Sequence, residues 1–282
     1  MVPLLISLAS AASWGVSDFL GGQQTRRLPV LSVLAVSQPA GLVLVALLIV
    51  ITGADPISAG KLGIAFLAGV ASLGGLAAFY TAMAMGTVSV VAPIAALGVV
   101  VPVVAGLAAG ESPAPIQLAG LVPAVAGVVI LSSGEASEHD EGSRAARLPI
   151  ALAVVAGLGF GLLFIGLDAA AADRPGWAIL AVRVGSITTI LAALLVSRPR
   201  FDGVGPAWPV LIVIGIFDVT ANVLIAFAST KGMLPVVAVG GSMYPAFTIA
   251  LAHAVLGERL ARLQWAGVFL ALTGVAMIAA GT

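Results

Sequence analysis

Apolar residues run along this chain in blocks of about twenty, with the polar residues gathered into short breaks between them. A helix rising about 1.5 Å per residue needs roughly 20 apolar residues to cross ~30 Å of hydrocarbon, where an open strand would leave backbone groups unpaired. The pattern therefore predicts an all-α integral membrane protein of ten transmembrane helices. Their limits fall near Pro3 to Gly22, Pro29 to Thr52, Lys61 to Met85, Val88 to Ala109, Pro115 to Ser133, Leu148 to Ala172, Pro175 to Val196, Pro206 to Thr230, Pro235 to Leu256 and Arg262 to Ala280. The breaks TRRLP, TGADP, ESPAP, ADRPG, SRPRFDG and GERLAR combine Pro, Gly and charge, and Pro in a first helical turn sacrifices no hydrogen bond. The first block has small residues that resemble a signal peptide, but no positive residues precede it, so it reads as the first span.

One connection is long and polar. Ser132 to Arg147 holds four acids, two Arg and one His, and reads as a solvated linker over residues 134–147. It divides the chain into units at 1–133 and 148–282, and these units repeat. An offset of 146 places Pro3 on Pro149, Trp14-Gly15 on Phe160-Gly161, Pro29 on Pro175, Gly69 on Gly215 and Gly86 on Gly232. An offset of 147 then places Gly110-Glu111 on Gly257-Glu258, Gln117 on Gln264, Ala119-Gly120 on Ala266-Gly267 and Gly127 on Gly274. A unit of five spans is odd, so the second copy enters the membrane from the opposite side. The expected architecture is two inverted five-helix repeats, an arrangement that favours a central site with alternating access.

Composition narrows the function. Of 282 residues, 61% are apolar and 9% charged, far below the roughly 25% charged residues of soluble domains. Twelve basic residues against twelve acidic leave no net charge with which to hold a nucleic acid. The absence of Cys removes disulfides, thiolate nucleophiles and Cys-ligated metals. Two His, His139 and His253, are too few for a His-rich metal site, and no nucleophile elbow or phosphate loop is present, so neither catalysis nor a cofactor is expected.

Two half-motifs carry a resemblance. AFYTAMAMGTVSVVAPIAALGVVVPVVAGLAAGESPAPIQLAG and IAFASTKGMLPVVAVGGSMYPAFTIALAHAVLGERLARLQWAG resemble the two EamA-type domains of the drug/metabolite transporter superfamily. The resemblance covers the whole chain: Trp-Gly in the first helix, a small-residue third helix, a Pro-bearing fourth, and Gly-Glu before the fifth. It implies a ten-helix carrier of small metabolites, often an exporter of amino acids, nucleosides or drugs, with the cavity lined by the first four helices of each half. The family's Arg in the second helix of the repeat is matched by Arg183, whereas Ser37-Gln38 occupy the corresponding place in the first half, which makes Gln38 a cavity candidate.

Ionisable residues within spans face a cavity, a partner or a functional path. Asp18, Asp168, Arg183, Asp218 and His253 are the candidates, with Asp168 and His253 nearer helix ends. Let the near face be the side where the chain starts and the far face the other. Arg183 lies roughly 10 Å and Asp218 roughly 12 Å from the near face, so the two meet if their helices are neighbours. Such a pair either joins two helices or serves a solute, with Arg183 holding a carboxylate or phosphate and Asp218 an amine or a proton. Asn222, one turn past Asp218, extends that polar face. Trp14 and Asp18 share a face of the first helix in the far half of the membrane, and Tyr80, towards the far end of the third helix, reaches the same vestibule, which makes all three cavity candidates. Tyr244, before Pro245, reads as a packing residue at a kink. Asp18, Asp218 and His253 are the coupling candidates, His253 by titration near neutral pH. Glu111 and Glu258 each precede a fifth helix, whose N-terminus favours a carboxylate, and are expected to be structural.

Eight Lys or Arg fall in far-face connections and three in near-face ones. The positive-inside rule then places both termini outside, whereas the resemblance implies termini in the cytoplasm. The resulting expectation is a monomeric secondary carrier in the plasma (inner) membrane. It would export a small-molecule solute, either coupled to protons or as an uncoupled facilitator, with an integral-membrane enzyme or scaffold as the alternative from another class.

Overall fold

The computed structural model describes residues 2–108, 110, 112, 114–135, 143–171, 174–199, 201–229, 231 and 240–280. Over these residues the chain is helical: α1 (Val2–Thr25), α2 (Val30–Thr52), α3 (Ala59–Met85), α4 (Val88–Ala96), α5 (Val100–Ala108), α6 (Pro115–Glu135), α7 (Ser143–Ala171), α8 (Pro175–Ser197), α9 (Val204–Ser229), α10 (Tyr244–Leu251) and α11 (Arg262–Ala280). A 3₁₀ turn at Leu97–Val99 joins α4 to α5, and a π turn at Ala252–Leu256 extends α10. The 3₁₀ turn has a local cause. Pro102 has no N–H for the carbonyl of Gly98, four residues earlier, so the helix tightens there rather than breaking.

Among the described residues eight helices are long and apolar enough to cross a membrane, with α4 and α5 counted as one continuous span, Val88–Ala108. Two shorter apolar helices, Pro115–Gly127 and Tyr244–Leu256, lie where the fifth and ninth spans are expected. Residues 136–142 of the polar linker, the Pro235 start of the ninth span, Glu111 and His139 lie outside the described residues.

The helices pack across the two halves in matched pairs. In sequence order α1 packs on α9 and α10 while α7 packs on α3 and α4; α2 packs on α9 while α8 packs on α3; and α6 packs on α11. Repeat-related glycines make these crossings. A Cβ at Gly69 would overlap the carbonyl of Val182 on α8, and one at Gly215 would overlap the carbonyl of Ser37 on α2. Gly127 likewise meets Ala271 while Gly274 meets Ala124, and there the contact partners are exchanged at the offset of 147 seen in the sequence. Small residues are what allow backbones this close in lipid, where no hydrophobic force drives helices together.

In the far half of the molecule a single apolar core runs through both units, with Phe19, Leu34, Tyr80, Met83, Val91 and Leu211 among its members. Large apolar side chains such as Leu195, Val196 and Phe269 are exposed on the outside, as a lipid-facing surface requires.

Candidate functional site

Three serines fix the register of α1 against α9. Ser10 Oγ donates to the carbonyl of Ala221 at 2.7 Å, Ser13 Oγ to Phe217 at 2.8 Å and Ser17 Oγ to Ile214 at 3.0 Å. Residues three and four apart share a helix face, so the three hydroxyls form one stripe. The stripe places Asp218 level with Ser13 and Trp14, and Asp18 one turn nearer the far face. Sequence reasoning passed over these serines. Their i, i+3, i+7 spacing in an apolar span was the available signal.

Arg183 joins three helices. From α8 its Nη1 lies 2.6 Å from Asp218 Oδ2 on α9 and donates to Gln38 Oε1 on α2 at 2.6 Å. The Arg183 side chain is 7% exposed and that of Asp218 18%, so the pair is screened little by water. The depth reckoning from the sequence put Arg183 and Asp218 at similar depth, able to meet if their helices were neighbours, and the structure brings them into direct contact. Gln38, from the second helix of the first half, is the third member. Arg183 Nε is buried and has no acceptor, which leaves one donor of the guanidinium uncommitted.

The other candidates separate into three groups. Asp18 is 9% exposed and lies within electrostatic reach of Asp218 and of Tyr80 and Tyr244. Among the described residues it has no ion-pair partner. Trp14, one turn away, meets Tyr244 edge to face with centroids 6.3 Å apart, so Tyr244 packs as expected but against a candidate cavity residue. Asn222 shares the Asp218 face, yet its Nδ2 donates to the Asp218 carbonyl at 2.7 Å and is committed to its own helix. Tyr80 is buried in the far-half core with its ring over Gly21.

His253 lies apart from this cluster. It is exposed on the outer surface, where it lines an apolar groove of about 330 Å³ with Ile249, Trp265 and Phe269, and its Nδ1 is 2.8 Å from the carbonyl oxygen of Glu258. Asp168 is exposed near the end of α7. No group of three or more His, Cys, Asp or Glu that could hold a metal occurs among the described residues.

Glu258 serves a helix N-terminus, but not that of its own helix. The start of α11 is served by Gln264 Oε1, which accepts from Ala261 N at 2.9 Å, as Gln117 Oε1 accepts from Ala114 N at the start of α6. Glu258 instead reaches the first turn of α4, in the other half of the molecule. Proximity in sequence suggested the wrong helix because the fold brings a second N-terminus within reach.

The model of the EamA-like transporter family matches residues 1–133 and 147–280. No curated protein matches the chain. A solved structure titled "Crystal structure of protein" superposes with a TM-score of 0.65 at 14% identity, covering 98% of this chain and 96% of that one.

Proposed function

The chain belongs to the EamA-like transporter family, and from that premise we propose that it is a secondary carrier moving a small metabolite by alternating access. The observation that carries the reading is the buried Arg183, Asp218 and Gln38 cluster, which draws on both halves of the molecule in the interior of a membrane protein. Inverted halves that rock about such a site expose it to one face and then the other.

The cargo is an amino acid, nucleoside or drug-like solute, and the direction is export. The chemistry on hand suits a solute with two polar ends. The free Nε of Arg183 offers a donor to a carboxylate or phosphate. Asp18, without a cation of its own among the described residues, receives an amine or a proton, and Trp14 supplies an aromatic face beside it. Proton coupling belongs to Asp18 and Asp218. His253, on the outer surface, is a poor relay to that cluster. The carrier works as a monomer in the plasma membrane. Uncoupled facilitation uses the same site without the proton.

Proteoliposomes test this. Flux of labelled amino acids, nucleosides and cationic dyes is measured with and without a pH gradient, for wild type, Arg183→Gln and Asp218→Asn. A fall of at least tenfold in folded variants supports the site, and a gradient requirement adds coupling. Unchanged flux in both variants returns the pair to a packing bridge, and absence of flux for every solute removes the carrier reading.

A further inference from the structure

At the far face, four elements meet on two charged side chains. Glu258, in the connection between α10 and α11, accepts hydrogen bonds from the first turn of α4: Val88 N to Oε1 at 3.1 Å, Ser89 N to Oε2 at 3.1 Å and Ser89 Oγ to Oε2 at 2.8 Å. Arg26, at the end of α1, places Nη2 3.8 Å from Glu258 Oε1. The same guanidinium donates to the carbonyl of Met83, at 3.4 Å from Nε and 3.2 Å from Nη2, and to that of Gly86 at 3.4 Å. The anion sits at the amino end of α4 and the cation at the carboxyl end of α3, so each complements a helix dipole.

The origin of the cap is informative. Thr87 stands at the N-cap position of α4 and is chemically suited to the task, yet its side chain makes no cap bond. The role falls instead to a carboxylate 170 residues away. Elsewhere in the molecule Gln117 and Gln264 cap from within three residues, and caps of that kind survive any movement of one half against the other. A cap supplied by the opposite half cannot. The α3–α4 turn belongs to the first unit and the α10–α11 connection to the second, so separating them at this face breaks these bonds of the Glu258 carboxylate. Beneath the contact, Leu28, Met83 and Val88 are buried in the core that closes the far half.

We propose that Glu258, with Arg26, is the latch that holds the far face of the carrier shut and must release for the far-facing state to form. The proposal rests on the carrier reading, but its test needs no solute. The chain has no Cys, so an introduced one is its sole thiol. Ala92 lies one turn beyond Ser89 on α4 and is fully buried. Ala92→Cys is placed in the full chain in membrane vesicles, and modification by an impermeant maleimide added at the far face is timed.

With the latch intact, modification is slow. Glu258→Gln in the same background is expected to raise the far-face rate at least tenfold, Arg26→Gln to raise it less, and Glu258→Asp to restore part of the protection. Thermal melting in detergent separates release from general loosening. A folded Glu258→Gln protein with an unchanged rate overturns the proposal, as does a rate rise matched by equal labelling of a buried cysteine at Ala65 in the near half. If Glu258→Gln does not fold, Ser89→Ala, which removes one contact to the carboxylate, and Arg26→Gln, which leaves the Glu258 bonds to α4 in place, decide by the same criterion. A rate rise together with no flux of any solute in wild type leaves the latch standing and removes the carrier reading instead.

Discussion

Arg183 illustrates how much one side chain demands in this environment. A guanidinium in hydrocarbon is expensive, and its cost is offset here by Asp218 and Gln38, each 2.6 Å from Nη1. Removing one partner strands the other. Asp218→Asn alone is expected to destabilise the protein by ~3–5 kcal/mol, because Arg183 keeps its buried charge. The double variant Arg183→Gln/Asp218→Asn removes both charges and is expected to recover most of that loss while still abolishing flux. Thermal melts in detergent beside proteoliposome assays check both halves of the prediction. Equal destabilisation of single and double variants would mean that packing, not charge, holds this junction. The pairing was legible from depth along the two helices, whereas Gln38 as third partner was not, because an uncharged residue in an apolar span announces no demand for a particular neighbour.

The helices themselves are joined by hydroxyls and glycines. The Ser10, Ser13 and Ser17 stripe zips α1 to α9, and Gly69 and Gly215 admit backbone carbonyls where any Cβ would collide. Gly69→Val and Gly215→Val are therefore expected to abolish folded protein to a similar degree, since they occupy equivalent crossings in the two halves. Gly74→Val is the control. A Cβ at Gly74 meets nothing within 4 Å, and valine there is expected to be tolerated. Yields of monodisperse protein after membrane extraction report the comparison, and a severe defect at Gly74 would show that loss of glycine itself, not steric overlap, is responsible. Hydropathy located the eight long apolar helices to within a few residues, since membrane insertion reads the same pattern. The 3₁₀ turn at Leu97–Val99 was not foreseen, although Pro102 in the sequence carries its cause.

Across the whole molecule, the two halves exchange helices rather than sitting side by side. α1 leans on α9 and α10 while α7 leans on α3 and α4, and the far-half core takes residues from both units. Neither unit has that core alone, so the halves are expected to fold as one cooperative body. The far-half core closes within a single chain, which predicts a monomer of 27.9 kDa by light scattering after subtraction of the detergent. A stable dimer mass in several detergents would contradict it.

The helical membrane class, the rough limits of most apolar spans, the duplication and the family were all present in the order of residues. Each is set by local composition or by ancestry, and neither depends on which helix touches which. The partners of the charged groups came from packing alone. Glu258 precedes α11 in sequence yet binds the start of α4, and His253 belongs to a promising residue type yet faces outward. Tyr80, for its part, ended inside the core. In a bilayer nearly every helix surface is equally apolar, so hydropathy cannot say which face turns inward. That is decided by the close fit of small residues and by the few polar groups that must find one another.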